Sequence, residues 1–267
     1  MMKEEKVILT LTTIPERLSF DHDLGLKRVI YSLINLKYNN YEIHFNIPKV
    51  NKRTGEEYVI PEWLKFINGR EKLRIFRTED YGPSTKLLPT LNRIDDPNQL
   101  IIIVDDDLIY ESRLIESHLK LREKDDEKVW GFAGLNNLGD KFGDARDRFV
   151  IGVNEDVRVG IIEHYKTVSY RRRFFESDFN EEFLQKGWAD DHLVSAYMGM
   201  KNRVKMVAAS EYIPKHNGQD EWRKYGVVES FPVIKHSVTQ SRKEGCNEFR
   251  KESEPLSDKD LYKFLNV

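Results

Sequence analysis

Three consecutive aspartates, Asp105, Asp106 and Asp107, follow directly on the apolar run Leu100 to Val104. A strand sends successive side chains to opposite faces. If strand geometry carries on through the triplet, Asp105 and Asp107 share one face and Asp106 takes the other. Two carboxylates on one face at the end of a buried strand make a hard-oxygen site suited to Mg²⁺ or Mn²⁺. Three adjacent carboxylates also repel one another, so a cationic group is expected close by. Taken alone, the triplet is also compatible with a turn and a helix start, both of which favour Asp.

Other polar clusters carry possible chemistry. Thr12-Thr13-Ile14-Pro15-Glu16-Arg17 leaves an apolar stretch near the start of the chain. Small hydroxyl residues there admit a flat base or ribose, and the planar fork of Arg17 suits a phosphate. Asp80-Tyr81-Gly82-Pro83-Ser84-Thr85-Lys86 reads as a turn that opens a helix, with Ser84 or Thr85 available as its cap. Lys86 is placed to meet a diphosphate or to balance the aspartates, and Asp80 to accept a hydrogen bond from a base. Capping and exposure account for both equally simply. Asp190-Asp191 opens a late helix; one of the two is a natural cap, and the pair is harder to explain that way. Arg171-Arg172-Arg173 reads as a solvated charge run, with an anionic acceptor as the alternative. Trp188 is either a sugar-stacking platform or a core residue.

The elements that must position these residues alternate strand and helix patterns. Strands are expected at Lys6 to Thr12, Tyr41 to Ile47, Leu73 to Arg77, Leu100 to Val104 and Val129 to Ala133. Helices are expected at Leu24 to Leu36, Ser84 to Leu91 and Glu111 to Glu123, with Pro89 kinking or ending the second. Weaker patterns give strands over Val157 to Ile162 and Lys166 to Tyr170, and a helix over Asp190 to Met200. This alternation predicts an α/β fold with a mostly parallel central sheet and helices on both faces. Such sheets bind ligands at the carboxyl ends of their strands. The polar clusters fall at those ends.

The chain has 267 residues, enough for one large α/β domain with an irregular C-terminal extension over 215–267. Its formal net charge of −2 argues against generic nucleic-acid binding. The single cysteine, Cys246, excludes an internal disulfide and reads as a reduced thiol in a cytoplasmic protein. No apolar run reaches the length of a signal-peptide core or a membrane span.

Four segments taken in order resemble the small GT-A glycosyltransferases of bacterial surface-polysaccharide loci and large algal DNA viruses. They are Leu11 to Arg17, Tyr81 to Leu87, the acidic triplet as a DxD-type motif, and Trp188-Ala189-Asp190-Asp191-His192-Leu193. The resemblance spans about residues 7 to 200 and implies a GT-A, Rossmann-like fold, with residues 1–110 as the nucleotide-binding half and 111–214 as the acceptor half. It implies transfer of a sugar from a nucleotide-sugar donor, UDP-linked, to a carbohydrate hydroxyl on a glycan or glycoconjugate. It implies Asp107 as the direct ligand of Mn²⁺ or Mg²⁺, and Asp105 toward the ribose or the metal's water shell. Asp106 is then the odd one out, facing away or holding the local turn. Asp191, with Asp190 as second choice, becomes the general base of an inverting reaction. A C-terminal histidine, His216 or His236, is a candidate third contact to metal or diphosphate; the other five histidines have weaker contexts. Two rivals stand beside this reading. A nucleotidyltransferase would carry a Gly-rich basic loop after the first strand, and a phosphohydrolase with a carboxylate nucleophile would carry its Asp-x-Asp there. Neither is seen. A non-catalytic nucleotide-sugar-binding protein is the second rival.

Overall fold

The computed structural model describes residues 4–19, 25–70, 72–136, 148–185 and 190–212. The first half runs β1 (Val7–Leu11), α1 (Pro15–Ser19), α2 (Leu26–Ile34), β2 (Tyr41–Pro48), α3 (Glu62–Ile67), β3 (Leu73–Thr78), α4 (Leu88–Leu91), β4 (Leu100–Ile103) and α5 (Leu114–Lys124). The second half adds β5 (Val129–Gly131), β6 (Ala133–Asn136), β7 (Arg148–Ile151), β8 (Val157–Arg158), β9 (Ile161–Ile162), β10 (Val168–Arg171), α6 (Glu181–Leu184), α7 (Asp190–Met200) and β11 (Lys205–Val207). The extension expected over 215–267 lies outside the described residues.

Eight strands form one sheet in the order β3-β2-β1-β4-β10-β5-β11-β8. Pairs β3/β2, β2/β1, β1/β4 and β5/β11 are parallel. Strand β10 enters antiparallel between β4 and β5. A second sheet, β7-β6-β9, is antiparallel. The central strands read as continuous apolar runs because both faces are covered, as parallel sheets require. Leu100 and Ile102 of β4 join the core beneath α2, with Val29, Ile30 and Leu33. Ile101 and Ile103 face the other way, onto Leu88 and Leu91 of α4 and Leu193, Val194 and Tyr197 of α7. The period-two alternation thus glues two helical layers onto one strand.

Several expectations are corrected. The run Val129 to Ala133 is two strands in different sheets, parted at Phe132. Gly131 sits at this crossing; a Cβ there would meet Ile162 Cδ1 at 2.9 Å and Val168 Cγ2 at 3.0 Å, so a larger residue would require these side chains to shift. Val157 to Ile162 likewise divides between the two sheets. Pro89 does not break its segment, because it falls in the first turn of α4 after a 3-10 turn over Ser84–Lys86. Arg171-Arg172-Arg173 is not a solvated run. Arg171 is buried, bonds Glu5, reaches Asp126 Oδ1 at 2.7 Å and donates to the Asn98 carbonyl at 2.7 Å. Arg172 donates to the Leu91 and Ile94 carbonyls at 3.1 Å each. The reversal of β10 explains this: Arg171 pairs with Leu100, at the start of β4, so the arginines lie at the sheet edge opposite the aspartates. They staple the edge and cannot meet an acceptor at the triplet.

Two histidines are held neutral by the core. His118, fully buried against Phe132, has its pKa pushed down to about 3, by burial first and Arg122 second. His44, edge-on to Phe76, is pushed down to about 4 by burial and Arg93. Both contributions to stability are fully present above the unfolded value near 6.5 and are lost as pH falls toward the folded values. Between pH 7 and pH 5 each removes about 2 kcal/mol. His118→Gln, which keeps a donor for Thr167, should lose about 2 kcal/mol less than wild type over that interval in urea unfolding. An unchanged pH dependence in the variant would contradict this account.

Candidate active site

Polar side chains converge at the carboxyl ends of β1, β3 and β4, the end at which such sheets bind ligands. The chain leaving β4 stays beside β1 for one more residue, since Val104 N donates to Thr10 O at 3.0 Å. It then turns, so strand geometry stops before the triplet. The buried hydroxyl of Tyr110 fixes that turn: it accepts from Asp105 N at 2.6 Å and donates to Asp105 O at 2.9 Å.

Each aspartate therefore meets a different environment. Asp106 points inward with only 9% of its side chain exposed. Its carboxylate bonds Arg17 on α1 and accepts from Thr13 Oγ1 at 2.5 Å. Asp107 is 40% exposed and accepts from Arg17 Nη2 at 3.0 Å. Asp105 is 20% exposed and accepts from Lys86 Nζ at 2.8 Å. Arg17 and Lys86 are the cations that three adjacent carboxylates call for. Burial alone would lower the pKa of each; the surrounding aspartates outweigh it and raise both. Crowding by protein atoms, with Asp105 and Asp106 beside it, pushes Asp107 up to about 6 against the pull of Arg17.

A second cluster faces the first through Lys86. Its ammonium also bonds Asp190 Oδ2, at 2.9 Å, so one buried lysine joins the β4 turn to the start of α7. Asp190 Oδ2 also lies 2.7 Å from His164 Nδ1. Asp191 Oδ1 accepts from His164 N at 3.0 Å and stands 2.9 Å from His164 Nδ1. Burial would raise both carboxyl pKa values, and the Asp190 charge adds to that at Asp191. His164 and Lys86 outweigh these effects and hold both below the usual carboxylate range. Both are ionised at neutral pH. Asp191 Oδ2 has no partner among the described residues.

The remaining expected residues divide. Thr12 Oγ1 donates to the Asn46 carbonyl at 2.8 Å, tying β1 to β2. Asp80 accepts from Gly82 N at 2.8 Å and Lys52 N at 2.9 Å, so one oxygen builds the turn ahead of Lys86 and the other ties it to the segment at Lys52. Neither Ser84 nor Thr85 caps the segment; Thr85 Oγ1 accepts from Tyr81 N instead. His216, His236 and Trp188 lie outside the described residues. His164, Tyr110 and Tyr170 were not singled out from the sequence.

Asp105 and Asp107 fit a hard divalent cation by donor chemistry and by charge. Among the groups in direct contact, five carboxylates face Arg17, Lys86 and His164, which leaves negative charge in excess even with the imidazole protonated. His164, Asp190 and Asp191 also present ligand atoms within 4.8 Å of one another. There, however, the His164 ring and backbone donate into the cluster in addition to Lys86, whereas Asp105 and Asp107 each face a single cation, Lys86 and Arg17 respectively.

No protein-family model matches the sequence, and no curated protein aligns with it. Solved structures do resemble it in fold. S. aureus TarS 1-349 in complex with UDP-GlcNAc superposes with a TM-score of 0.50 at 13% identity, over 97% of this chain and 70% of that one. Another structure of TarS 1-349 gives 0.47 at 12% identity over 75% of this chain, which spans 57% of that one. At such identity the likeness speaks for the fold: the expected mostly parallel α/β sheet flanked by helices. Among the described residues no helix is long and apolar enough to cross a membrane.

Proposed function

We propose that this chain is a glycosyltransferase that moves a sugar from a UDP-linked donor to a carbohydrate hydroxyl, with Asp105 and Asp107 holding Mn²⁺ or Mg²⁺ and Asp191 acting as general base. The observation that carries this reading is the pair of carboxylate clusters joined by Lys86: one partly exposed and over-charged, the other ionised, with Asp191 Oδ2 unpaired among the described residues. The fold supports it, because TarS shares the sheet architecture and was solved with UDP-GlcNAc.

A bound divalent cation would offset the charge of the donor diphosphate as the bond to the sugar breaks. The protein's own residues do the rest. Thr13 and Arg17 lock Asp106, which helps fix the turn and leaves Asp105 and Asp107 as the more exposed pair. Arg17 also restrains Asp107. Lys86 holds Asp105 and keeps the donor half in register with α7. Asp191 receives the acceptor hydroxyl proton on Oδ2 while its Oδ1 stays bound to the His164 N–H groups. A carboxylate with a low pKa is a weak base toward a resting alcohol. It serves here because the acceptor oxygen becomes acidic only as it bonds to the anomeric carbon. The product is then inverted at that carbon.

A thermal-shift panel tests the reading. With Mn²⁺ and a UDP-sugar at about 100 times its dissociation constant, stabilisation of about 2.7 kcal/mol follows from linkage. That is a rise of several degrees for a domain of this size. The rise should vanish with a chelator. A panel in which no nucleotide-sugar raises the melting temperature in the presence of metal would overturn the proposal.

A further inference from the structure

The imidazole of His164 sits on a 3-10 turn between β9 and β10, with none of its surface exposed. Its position is over-determined. The backbone N–H at its own residue binds Asp191 Oδ1 at 3.0 Å, and Nδ1 lies 2.7 Å from Asp190 and 2.9 Å from Asp191. On the far side of the ring, Nε2 is 2.9 Å from the hydroxyl of Tyr170, which is equally buried on β10. Nothing in the proposed proton transfer requires a histidine, yet one is buried against the base at the cost of desolvating an imidazole.

The hydrogen-bond inventory fixes where its proton sits. Carboxylates only accept, so Nδ1 must carry a hydrogen to satisfy them. When the ring is neutral, Nε2 is then an acceptor, and the Tyr170 hydroxyl donates to it. When the ring is cationic, Nε2–H donates to the Tyr170 oxygen. Nδ1–H points at the carboxylates in both states. The carboxylates thus fix the hydrogen on Nδ1 and Tyr170 satisfies Nε2 in either state; its own ring is wedged against Phe175 at 5.3 Å between centroids.

We infer that His164 and Tyr170 form a positioning pair for the base: Tyr170 holds the ring at Nε2, and His164 pins Asp191 Oδ1 so that Oδ2 alone is presented to the acceptor hydroxyl. This rests on the reading of Asp191 as base. Neither residue touches substrate in this scheme; each acts through Asp191. The gain is orientation, because a base misplaced by an ångström loses much of its effect.

Two substitutions at one position separate positioning from packing. The amide nitrogen of Asn lies two bonds from Cβ, as Nδ1 does, so His164→Asn keeps a donor toward Asp191 and abandons Tyr170. The amide nitrogen of Gln lies three bonds out, as Nε2 does, so His164→Gln keeps Tyr170 and abandons the carboxylates. With UDP-GlcNAc, Mn²⁺ and water as acceptor, His164→Gln should lower the turnover rate on the order of 10²-fold with unchanged donor affinity. His164→Asn should stay within about tenfold of wild type. Equal losses in the two variants, or a larger loss in His164→Asn, would overturn the inference and assign His164 a packing role. A second measurement does not depend on the donor. Nitrogen NMR of the histidines in the full chain should show His164 Nδ1 protonated, with a shift that moves in Asp191→Asn; an unprotonated Nδ1 contradicts the inference. If Asp191→Asn itself turns over normally, it is the base assignment that has failed. If Asp191→Asn is dead and the two His164 variants are alike, only the present inference has failed.

Discussion

Asp191→Asn should abolish transfer while leaving the donor bound as tightly as in the wild type. Asparagine keeps an oxygen where Asp191 Oδ1 accepts from His164 N, so the start of α7 retains its geometry. What it loses is the capacity to take a proton. General-base catalysis is worth about 10²–10⁴ in rate, and a fall of about 10³-fold corresponds to roughly 4 kcal/mol on the barrier. Calorimetric titration of the donor and a nucleoside-diphosphate release assay on the same preparation check the two halves. Full activity in this variant would remove Asp191 from its role. Retention of configuration in the wild-type product would do the same.

Lys86→Met should be the most damaging single change to stability within the site. The methionine fills the space of the lysine stem but leaves Asp105 and Asp190 facing each other without the ammonium that sits 2.8 and 2.9 Å from them. Breaking a buried pair by removing one partner costs about 3–5 kcal/mol, because an uncompensated charge remains. For a domain of this size that lowers the melting temperature by on the order of 10 °C. Adding Asp190→Asn to Lys86→Met should recover part of the loss, since one of the stranded charges is gone. A double variant no more stable than Lys86→Met would show that the lysine stabilises through packing and not through charge.

The parts of this fold that were legible in the sequence are those set by short-range pattern. The apolar run at β4, the helical spacing of α2 and the acidic opening of α7 are local signals. The carboxyl ends of β1, β3 and β4 could be located from them. What was not legible depends on long-range pairing. No residue in Val168–Arg171 announces that β10 runs against its neighbours. That reversal carries the three arginines to the far edge of the sheet and sets Tyr170 beneath His164. His164 follows Ile161-Ile162-Glu163, a context that signals a short strand and nothing more. Its partners lie 26 and 27 residues further on. The division of labour within the triplet was half visible. Asp106 stands apart as the pattern suggested, but the reason is not strand alternation. The strand ends at Ile103, and Arg17, 89 residues from Asp106, claims that carboxylate in a turn held by Tyr110.

The central claim is that Asp105 and Asp107 form the metal-bearing end of a nucleotide-sugar site. Titration of UDP-GlcNAc into the full chain with and without Mn²⁺, repeated on Asp107→Asn, tests it most directly. Asp107 is the most exposed of the three aspartates, so its amide variant should disturb the fold least. The account predicts saturable binding that requires Mn²⁺ and weakens by at least an order of magnitude in the variant, equivalent to about 1.4 kcal/mol or more. Binding of equal strength without metal, or undiminished in Asp107→Asn, would contradict it.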